Sequence, residues 1–337
     1  ELLRLPPVLL INYSLHGFCL SENALPFVAR RLPAVAENAT NQKWQESHLA
    51  EVFAAYCSFG TAGKEQFSAL LETLEGEGIG STDDMAICTP GLADIIAYSG
   101  LGKRIGFWAS PEVYKALEAE TKKLCLGIKL FLDGSIGSMS AAIQGNWPDG
   151  SVGLLTYTDE QLSGLLTELA AFKTGLSVHA IGELAIGQFL QVLLQLDAKN
   201  ISFPYIQMEH AQFITKEQMS ICRDMDITLS MQPNFSDDSV IYADRLSETH
   251  RRNNNPFRKL IDRWGFKPGE NLIFGSDGMP HSIAFALQCA LFPAFPNQKL
   301  TLDEFVAGYG EAEWTKGQNA HYEIDKEAHM VRMAQKP

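Results

Sequence analysis

The feature that most constrains the fold is a repeated alternation of short apolar segments with longer, amphipathic segments. Strands that alternate with helices in this way form a parallel sheet covered by helices. The sequence therefore predicts an α/β fold, and a (β/α)₈ barrel in particular. Eight apolar segments have the length and composition of strands: 8–13, 79–83, 104–109, 126–132, 176–179, 205–209, 227–231 and 271–275.

Several of the intervening segments begin with residues that favour the start of a helix. Ser110 precedes a proline, which is common at the first helical position. Thr158, Thr215 and Thr301 are each followed three residues later by Gln or Glu, which is the pattern of a capping box. An open dinucleotide-binding sheet is the alternative α/β fold, but no Gly-x-Gly-x-x-Gly follows a predicted strand.

The composition is that of a folded, acidic protein. Hydrophobic residues make up 46% of the chain and charged residues 20%, which is enough for a large core. The net charge of −13 disfavours binding to nucleic acid or to an anionic membrane surface. No apolar run approaches the roughly 18 residues of a membrane span. The six cysteines include no Cys-x-x-Cys pair, which favours reduced thiols in a cytoplasmic protein over a zinc knuckle or a disulfide scaffold.

Polar side chains lie at or near the ends of five predicted strands: Lys129, His179, His210, Gln232 and Asp277. The carboxyl ends of barrel strands meet at one mouth, so two histidines and an aspartate there could bind a cation. A single histidine at such a position is more commonly a structural residue. A lysine within an apolar strand needs neutralisation or a partner, and its structural interpretation is an ion pair with a carboxylate such as Asp133.

Five segments, in this order and spacing, resemble the metal-dependent amidohydrolases of the family-3 type, which include N-substituted formamide deformylases. They are KLFLDGSIGSMSAA, SVHAIGELAI, MEHAQF, LSMQPNF and IFGSDGMP. The resemblance extends over about residues 5–310. It implies a barrel enzyme that uses a metal-activated water to hydrolyse a carbon–nitrogen bond, other than a peptide bond, in a small-molecule substrate.

The resemblance also implies roles for individual residues. Lys129 matches a lysine that can be carboxylated to a carbamate bridging two metals. His179 and His210 match two metal-ligating histidines, and Asp277 matches an aspartate that binds metal and acts as the general base. Zinc is the divalent metal expected from these ligand types, although iron and manganese also fit. Substrate-binding or supporting roles are implied for three further residues: His16, Asp133 and Gln232.

The sequence departs from the family pattern at the front of the barrel. The family's first strand ends in His-x-His, which holds the first metal, and none of the eight histidines forms such a pair. Segment 8–13 then matches an added strand within an insertion. The resemblance therefore implies an incomplete barrel that lacks its first strand and has little or no β-sandwich subdomain. Met139 and Glu183 also stand where relatives often have Arg and Asp.

The predicted boundaries place the barrel at 1–320, with an insertion at 1–78 that carries an extra strand and helices. Strands two to eight lie within 79–310, and 321–337 is a remnant of a sandwich subdomain. The missing His-x-His leaves a second interpretation open, a catalytically impaired relative that binds a small ligand or serves as an assembly subunit, with a homodimer as the candidate assembly. A ligand count favours weak or absent metal binding, because a catalytic zinc takes three protein ligands plus water.

Overall fold

A computed structural model describes residues 6–12, 17–58, 63–278, 280–310 and 321–334. The strands in chain order are β1 Leu9–Ile11, β2 Phe18–Leu20, β3 Thr82–Ile87, β4 Ile105–Ala109, β5 Gly127–Phe131, β6 Gly175–Ala180, β7 Ile206–His210, β8 Thr228–Met231, β9 Leu272–Phe274, β10 Tyr322–Asp325 and β11 Met330–Met333. The α-helices are α1 Leu25–Ala29, α2 Val35–Asn38, α3 Gln42–Cys57, α4 Lys64–Gly76, α5 Pro90–Tyr98, α6 Pro111–Ala116, α7 Ala119–Lys122, α8 Asp159–Ala170, α9 Glu183–Asp197, α10 Lys216–Asp224, α11 Asp238–Ile241, α12 Glu248–Asn253, α13 Phe257–Trp264, α14 Ile283–Leu291 and α15 Leu302–Tyr309.

A parallel sheet of seven strands forms the centre of the molecule, in the order β3-β4-β5-β6-β7-β8-β9. Sequence order and spatial order coincide because a helix or helical connection follows each strand and returns the chain to the next one. The sheet curls into a half-barrel with helices packed outside it. The predicted α/β fold, an incomplete (β/α)₈ barrel, is confirmed.

The two ends of this sheet are β3 and β9. Within the described ranges, β3 pairs with β4 alone and β9 pairs with β8 alone, so the sheet does not close. Segment 8–13 is not a barrel strand: its described part, β1, pairs antiparallel with β2 in a separate two-stranded sheet. An incomplete barrel is what the resemblance implied; that 8–13 is an added strand within an insertion stays a prediction.

Helix starts agree with the sequence patterns. The side chains of Ser110, Thr158, Thr215 and Thr301 each accept a hydrogen bond from the backbone N–H three residues later. Full capping boxes form at the three threonines. These caps satisfy backbone donors that have no partner within the helix, which fixes where each helix begins.

The predicted strand at 79–83 is wrong at both ends, since β3 begins at Thr82 and continues to Ile87. Ile79 lies three residues after the end of α4 and forms part of its C-terminal cap. Its N–H donates to the carbonyl of Leu74 at 2.8 Å, and Gly78 adopts the left-handed conformation with φ +84°. These two features form a Schellman motif, which ends the helix. Because Ile79 takes part in this cap, the strand begins only at Thr82.

The alternation of side chains along the central strands separates two environments. Ile128 and Leu130 on β5, and Leu176 and Val178 on β6, belong to the main hydrophobic core between the sheet and the helices. Because successive strand residues point to opposite faces, the residues between them, such as Lys129, face the inside of the half-barrel. The inner face of the half-barrel is therefore polar at these positions.

Two peripheral units pack beside the half-barrel. Residues 18–55 contribute to a small separate core built on Phe18, Val28 and Val52. The antiparallel hairpin β10–β11 packs on α14, where the N–H of Val331 donates to Gln288 Oε1 at 3.2 Å. The predicted domain boundaries, including the sandwich remnant at 321–337, stay predictions. In the described ranges, no helix is both long and apolar enough to cross a membrane.

Candidate active site

The floor of the half-barrel carries a chain of polar contacts across β5, β6 and β7. Lys129 Nζ lies 3.4 Å from Ser177 Oγ, and this hydroxyl donates to Glu209 Oε1 at 2.7 Å. Gln207 Nε2 donates to the same carboxylate oxygen at 2.6 Å. The ammonium and the carboxylate themselves are 4.0 Å apart. We call these four residues the inner polar layer.

Lys129 is almost completely buried, with 3% of its surface exposed. Burial lowers the pKa of its amine, and the negative charges of Glu209 and Asp277 oppose this shift. A buried lysine with a lowered pKa has a larger share of neutral, nucleophilic amine, which is the form that can be carboxylated. The carboxylate beside it is Glu209 and not Asp133, the ion-pair partner suggested from sequence.

Above this layer, at the strand ends, the rings of His179 and His210 contact each other edge to face with centroids 4.6 Å apart. His179 Nε2 lies 3.1 Å from the carbonyl oxygen of Gly134 and 3.4 Å from Asp133 Oδ1. His210 Nδ1 lies 2.8 Å from Gln232 Oε1. In each histidine these contacts place an oxygen beside one ring nitrogen, His179 Nε2 and His210 Nδ1, and so orient the ring through that nitrogen.

Asp133 connects the loops around His179. Its Oδ1 accepts from the N–H of Ile181 at 3.0 Å, and its Oδ2 accepts from the N–H groups of Gly182 and Ala142 at 2.8 and 2.9 Å. These contacts make Asp133 a carboxylate that holds two loops and orients a histidine. The substrate-binding role implied for it stays a prediction, as does that of Gln232. The Oε1 of Gln232 contacts His210, and its Nε2 donates to the carbonyl oxygen of Ser230 at 3.3 Å.

Asp277 lies just after β9 and is exposed. Its negative charge opposes the lowering of the pKa of Lys129, so the two groups lie close enough to interact electrostatically. Of the nine described non-glycine residues with positive φ, three lie at these strand ends: His210, Ala211 and Asp277, with φ of +70°, +46° and +52°. Non-glycine residues with positive φ are uncommon and cluster at functional sites. The predicted pocket histidine, His16, lies outside the described residues.

Three features of this region were not predicted from sequence. Ser177 lies two residues before His179, so strand alternation alone would have placed it on the same face. His281 Nδ1 lies 2.8 Å from Ser276 Oγ, and burial lowers the pKa of this histidine. Glu183 Oε1 lies 3.1 Å from His250 Nε2, a contact between residues 67 positions apart that no local pattern could indicate.

The donor set fits a metal ion only in part. In the described ranges, no group of three or more His, Cys, Asp or Glu side chains is placed to hold a metal. His179 and His210 are two nitrogen donors in contact, and Lys129 would add an oxygen donor only as a carbamate. Since a catalytic zinc takes three protein ligands, the described side chains are one short without that modification.

Comparison with known proteins agrees with this arrangement. The profile described as "Amidohydrolase family" matches residues 53–288, which is more than half of the chain and includes β3 to β9. The chain belongs to the amidohydrolase family. Membership supports a hydrolase that is metal-dependent in general terms; neither the metal nor the bond that is cleaved follows from it.

Two curated relatives match shorter segments of the chain. The "Putative amidohydrolase YtcJ" of Bacillus subtilis (strain 168) is 27% identical over 139 residues, 40% of this chain and 26% of that protein. "Protein LONG AFTER FAR-RED 3" of Arabidopsis thaliana is 32% identical over 143 residues, 40% of this chain and 24% of that protein. The match thus spans about a quarter of the length of either relative.

Solved structures support the fold of this amidohydrolase over a longer range. An uncharacterized metal-dependent hydrolase from Pyrococcus furiosus superposes with a TM-score of 0.62 at 18% identity, covering 93% of this chain and 68% of that one. An uncharacterized metal-dependent hydrolase from Pyrococcus horikoshii OT3 has a TM-score of 0.58 at 20% identity, covering 85% and 60%. At these identities the likeness establishes the fold alone.

Proposed function

We propose that this half-barrel is the catalytic part of a metal-dependent hydrolase that cleaves an amide-like carbon–nitrogen bond, other than a peptide bond, in a small molecule. One observation carries the proposal: in a member of the amidohydrolase family, Lys129, His179 and His210 lie on three adjacent strands, and the two imidazole rings are in contact. Their burial, at 6% exposure or less, favours a site that excludes bulk water.

The proposed roles follow from the contacts. A divalent cation, with zinc as the first candidate, would supply an activated water and polarise the substrate carbonyl. His179 and His210 would ligate through the nitrogens opposite their contacts to Asp133 and Gln232, which hold the two rings in place. Both imidazoles must be neutral for this, so activity should fall at acid pH.

Asp277 is the proposed general base. Its exposed position just after β9 gives it access to a substrate in the mouth. It would accept the proton of the attacking water and pass it to the leaving nitrogen. His16 is the further residue proposed to contact substrate.

A second candidate function rests on the incomplete donor set. A relative that has lost metal binding would keep the barrel and use its mouth for a small ligand, or would serve as an assembly subunit such as one half of a homodimer. The shortage of a third donor among the described side chains favours this alternative. The two candidates differ in metal content and in hydrolysis.

Metal analysis of protein purified without chelator separates them. The hydrolase proposal requires bound metal after supplying Zn²⁺ or Mn²⁺ together with bicarbonate, and release of amine from a panel of formamides and other simple amides. His179→Gln and His210→Gln should reduce both quantities, whereas His321→Gln, at an exposed position of the C-terminal hairpin region, should change neither. Protein that binds no metal and releases no amine under these conditions would support the second candidate.

A further inference from the structure

A cavity of about 100 Å³ lies beside the half-barrel, at a place where three parts of the chain meet. Its walls come from the 3₁₀ turn Pro233–Asp237, from helix α14 with the residues just after it, and from the turn of the β10–β11 hairpin. Among the described residues, those to which the proposed hydrolysis assigns a role do not line this cavity. It is therefore a concave site separate from the candidate active site.

The size and the exposure of the cavity limit what it can hold. An apolar cavity of about 150 Å³ binds benzene, so a cavity of about 100 Å³ has room for a ligand of only a few non-hydrogen atoms. Ala294 and His329 belong to the lining and are exposed, so a ligand can enter directly from solvent. These limits favour a small molecule over a peptide or a nucleotide.

Asp237 supplies the lining with a half-buried carboxylate. In the described part of the chain, this side chain does not cap α11 and forms no ion pair. Burial raises the pKa of the carboxyl, and no positive charge among the described residues opposes that shift. A cation next to the carboxylate would offset the cost of burying its negative charge.

Aromatic rings form another part of the wall. Phe285 lies in the first turn of α14 and Phe292 directly follows that helix, and both line the cavity. The ring of Phe292 stacks on the ring of His329, with centroids 4.8 Å apart and an interplanar angle of 11°. Aromatic rings attract cations electrostatically and also pack against alkyl chains. The rings and the carboxylate therefore favour the same class of ligand.

We propose that this cavity is a binding site for a small organic cation, an alkylammonium ion with a short apolar chain. The ammonium group donates hydrogen bonds to the carboxylate of Asp237, and the chain packs against Phe285 and Phe292. A neutral alcohol of the same length lacks the charge that Asp237 attracts, and a carboxylate of the same length is repelled by it. Recognition thus depends on positive charge combined with a short chain.

The proposed site shares the 3₁₀ turn with the candidate active site. Asp237 lies two residues after Phe235, whose ring stacks on that of His210 with centroids 5.8 Å apart. The turn is also held from behind, because Gln298 Nε2 donates to the carbonyl oxygen of Ser236 at 3.2 Å. A cation at Asp237 would therefore bind to the same turn that packs against His210.

A nuclear magnetic resonance titration of the full chain tests the site. Protein with isotope-labelled histidine is titrated with n-butylammonium chloride at fixed pH and constant ionic strength. The ring resonance of His329, identified by its loss in His329→Gln, should shift saturably with a dissociation constant in the millimolar range, because so small a ligand makes few contacts. n-Butanol should bind at least about tenfold more weakly, since it cannot form the charged hydrogen bond.

Asp237→Asn keeps the size of the side chain and should weaken n-butylammonium binding at least about tenfold. Asp197→Asn is the matched control: it removes the same charge at an exposed position at the end of α9 and should leave the affinity unchanged. Ala294→Phe is a second, independent variant, in which a larger side chain at the exposed rim fills the cavity and should abolish binding.

Three results would overturn the proposal: no saturable shift of His329 with n-butylammonium, equal affinities of the Asp237→Asn and Asp197→Asn variants, or n-butanol binding as tight as that of the cation. These measurements need neither a metal nor hydrolysis, so they do not depend on the proposed function.

Discussion

Removing the carboxylate of Asp133 should destabilise the protein more than any loss of charge on its surface. The side chain is completely buried and accepts hydrogen bonds from the backbone N–H groups of Ala142, Ile181 and Gly182 at 2.8 to 3.0 Å. Each buried donor left without a partner costs about 1–3 kcal/mol. Loop relaxation and entering water reduce the sum for three donors, and we expect Asp133→Ala to lower the free energy of unfolding by about 3–5 kcal/mol.

Asp133→Asn should cost less, about 1–3 kcal/mol, since the amide keeps one accepting oxygen but turns its NH₂ group towards a backbone donor. Urea unfolding followed by circular dichroism measures both values. Asp149→Ala is the control: Asp149 accepts the N–H of Ser151 at 2.9 Å but is exposed. If Asp133→Ala moves the urea midpoint no further than Asp149→Ala, the assignment of Asp133 as the residue holding these loops fails.

Three further outcomes follow from the structure. Burial raises the pKa of the Asp238 carboxyl to about 7, so this carboxyl binds a proton more tightly in the folded protein than in the unfolded chain. The free energy of unfolding should therefore fall as the pH rises from about 4 to about 7. Asp238→Asn should flatten that slope in urea titrations at several pH values. For Glu183, burial favours the protonated form, but hydrogen bonds from His250 and the N–H of Gln144 outweigh burial and lower the pKa of the carboxyl. The resulting contribution to the free energy of unfolding should be present above about pH 4.5 and lost in more acidic solution. A Glu183→Gln variant that loses as much stability in acid as the wild type would contradict this. Gly182→Ala should sharply lower the melting temperature because a Cβ there meets the backbone of Ala142, whereas Gly91→Ala, where the added carbon meets no atom within 4 Å, should leave it unchanged or raise it slightly.

Much of the fold could be predicted because its signals are local. The caps at Thr158 and Thr215 depend on residues three positions apart, and the apolar alternation of β5 and β6 is visible in the sequence itself. The start of β3 was missed because Ile79 resembles a strand residue in isolation. Its place is set by the left-handed Gly78 and a hydrogen bond back to α4, which depend on the geometry of the preceding helix.

The candidate site divides in the same way. The positions of Lys129, His179 and His210 at or near predicted strand ends singled them out, the resemblance to the family implied their roles, and the structure places them on three adjacent strands of the half-barrel. What surrounds them depends on register between strands. Lys129 lies opposite Ser177, which in turn lies opposite Gln207, and only this register brings Glu209 to the lysine in place of Asp133. Contacts of this kind cannot be read from spacing along the chain.

Whether the site is active or impaired depends more on the number of metal-ligand donors than on where those donors lie. The left-handed backbone conformations of His210, Ala211 and Asp277 cost on the order of 1–3 kcal/mol per residue. Selection for stability alone would not retain this cost at the mouth of the barrel. This strain favours a site that still positions side chains for a ligand. Two imidazoles alone do not complete a catalytic metal centre, and within the described ranges no third His, Cys, Asp or Glu side chain, Asp277 included, is placed to complete it. A catalytic metal would therefore need a carboxylated Lys129 or a group from outside the described residues. Among the residues that the structure describes, the outer edges of β3 and β9 have no strand partner, so an additional strand could extend the sheet there and bring its carboxyl end to the same mouth.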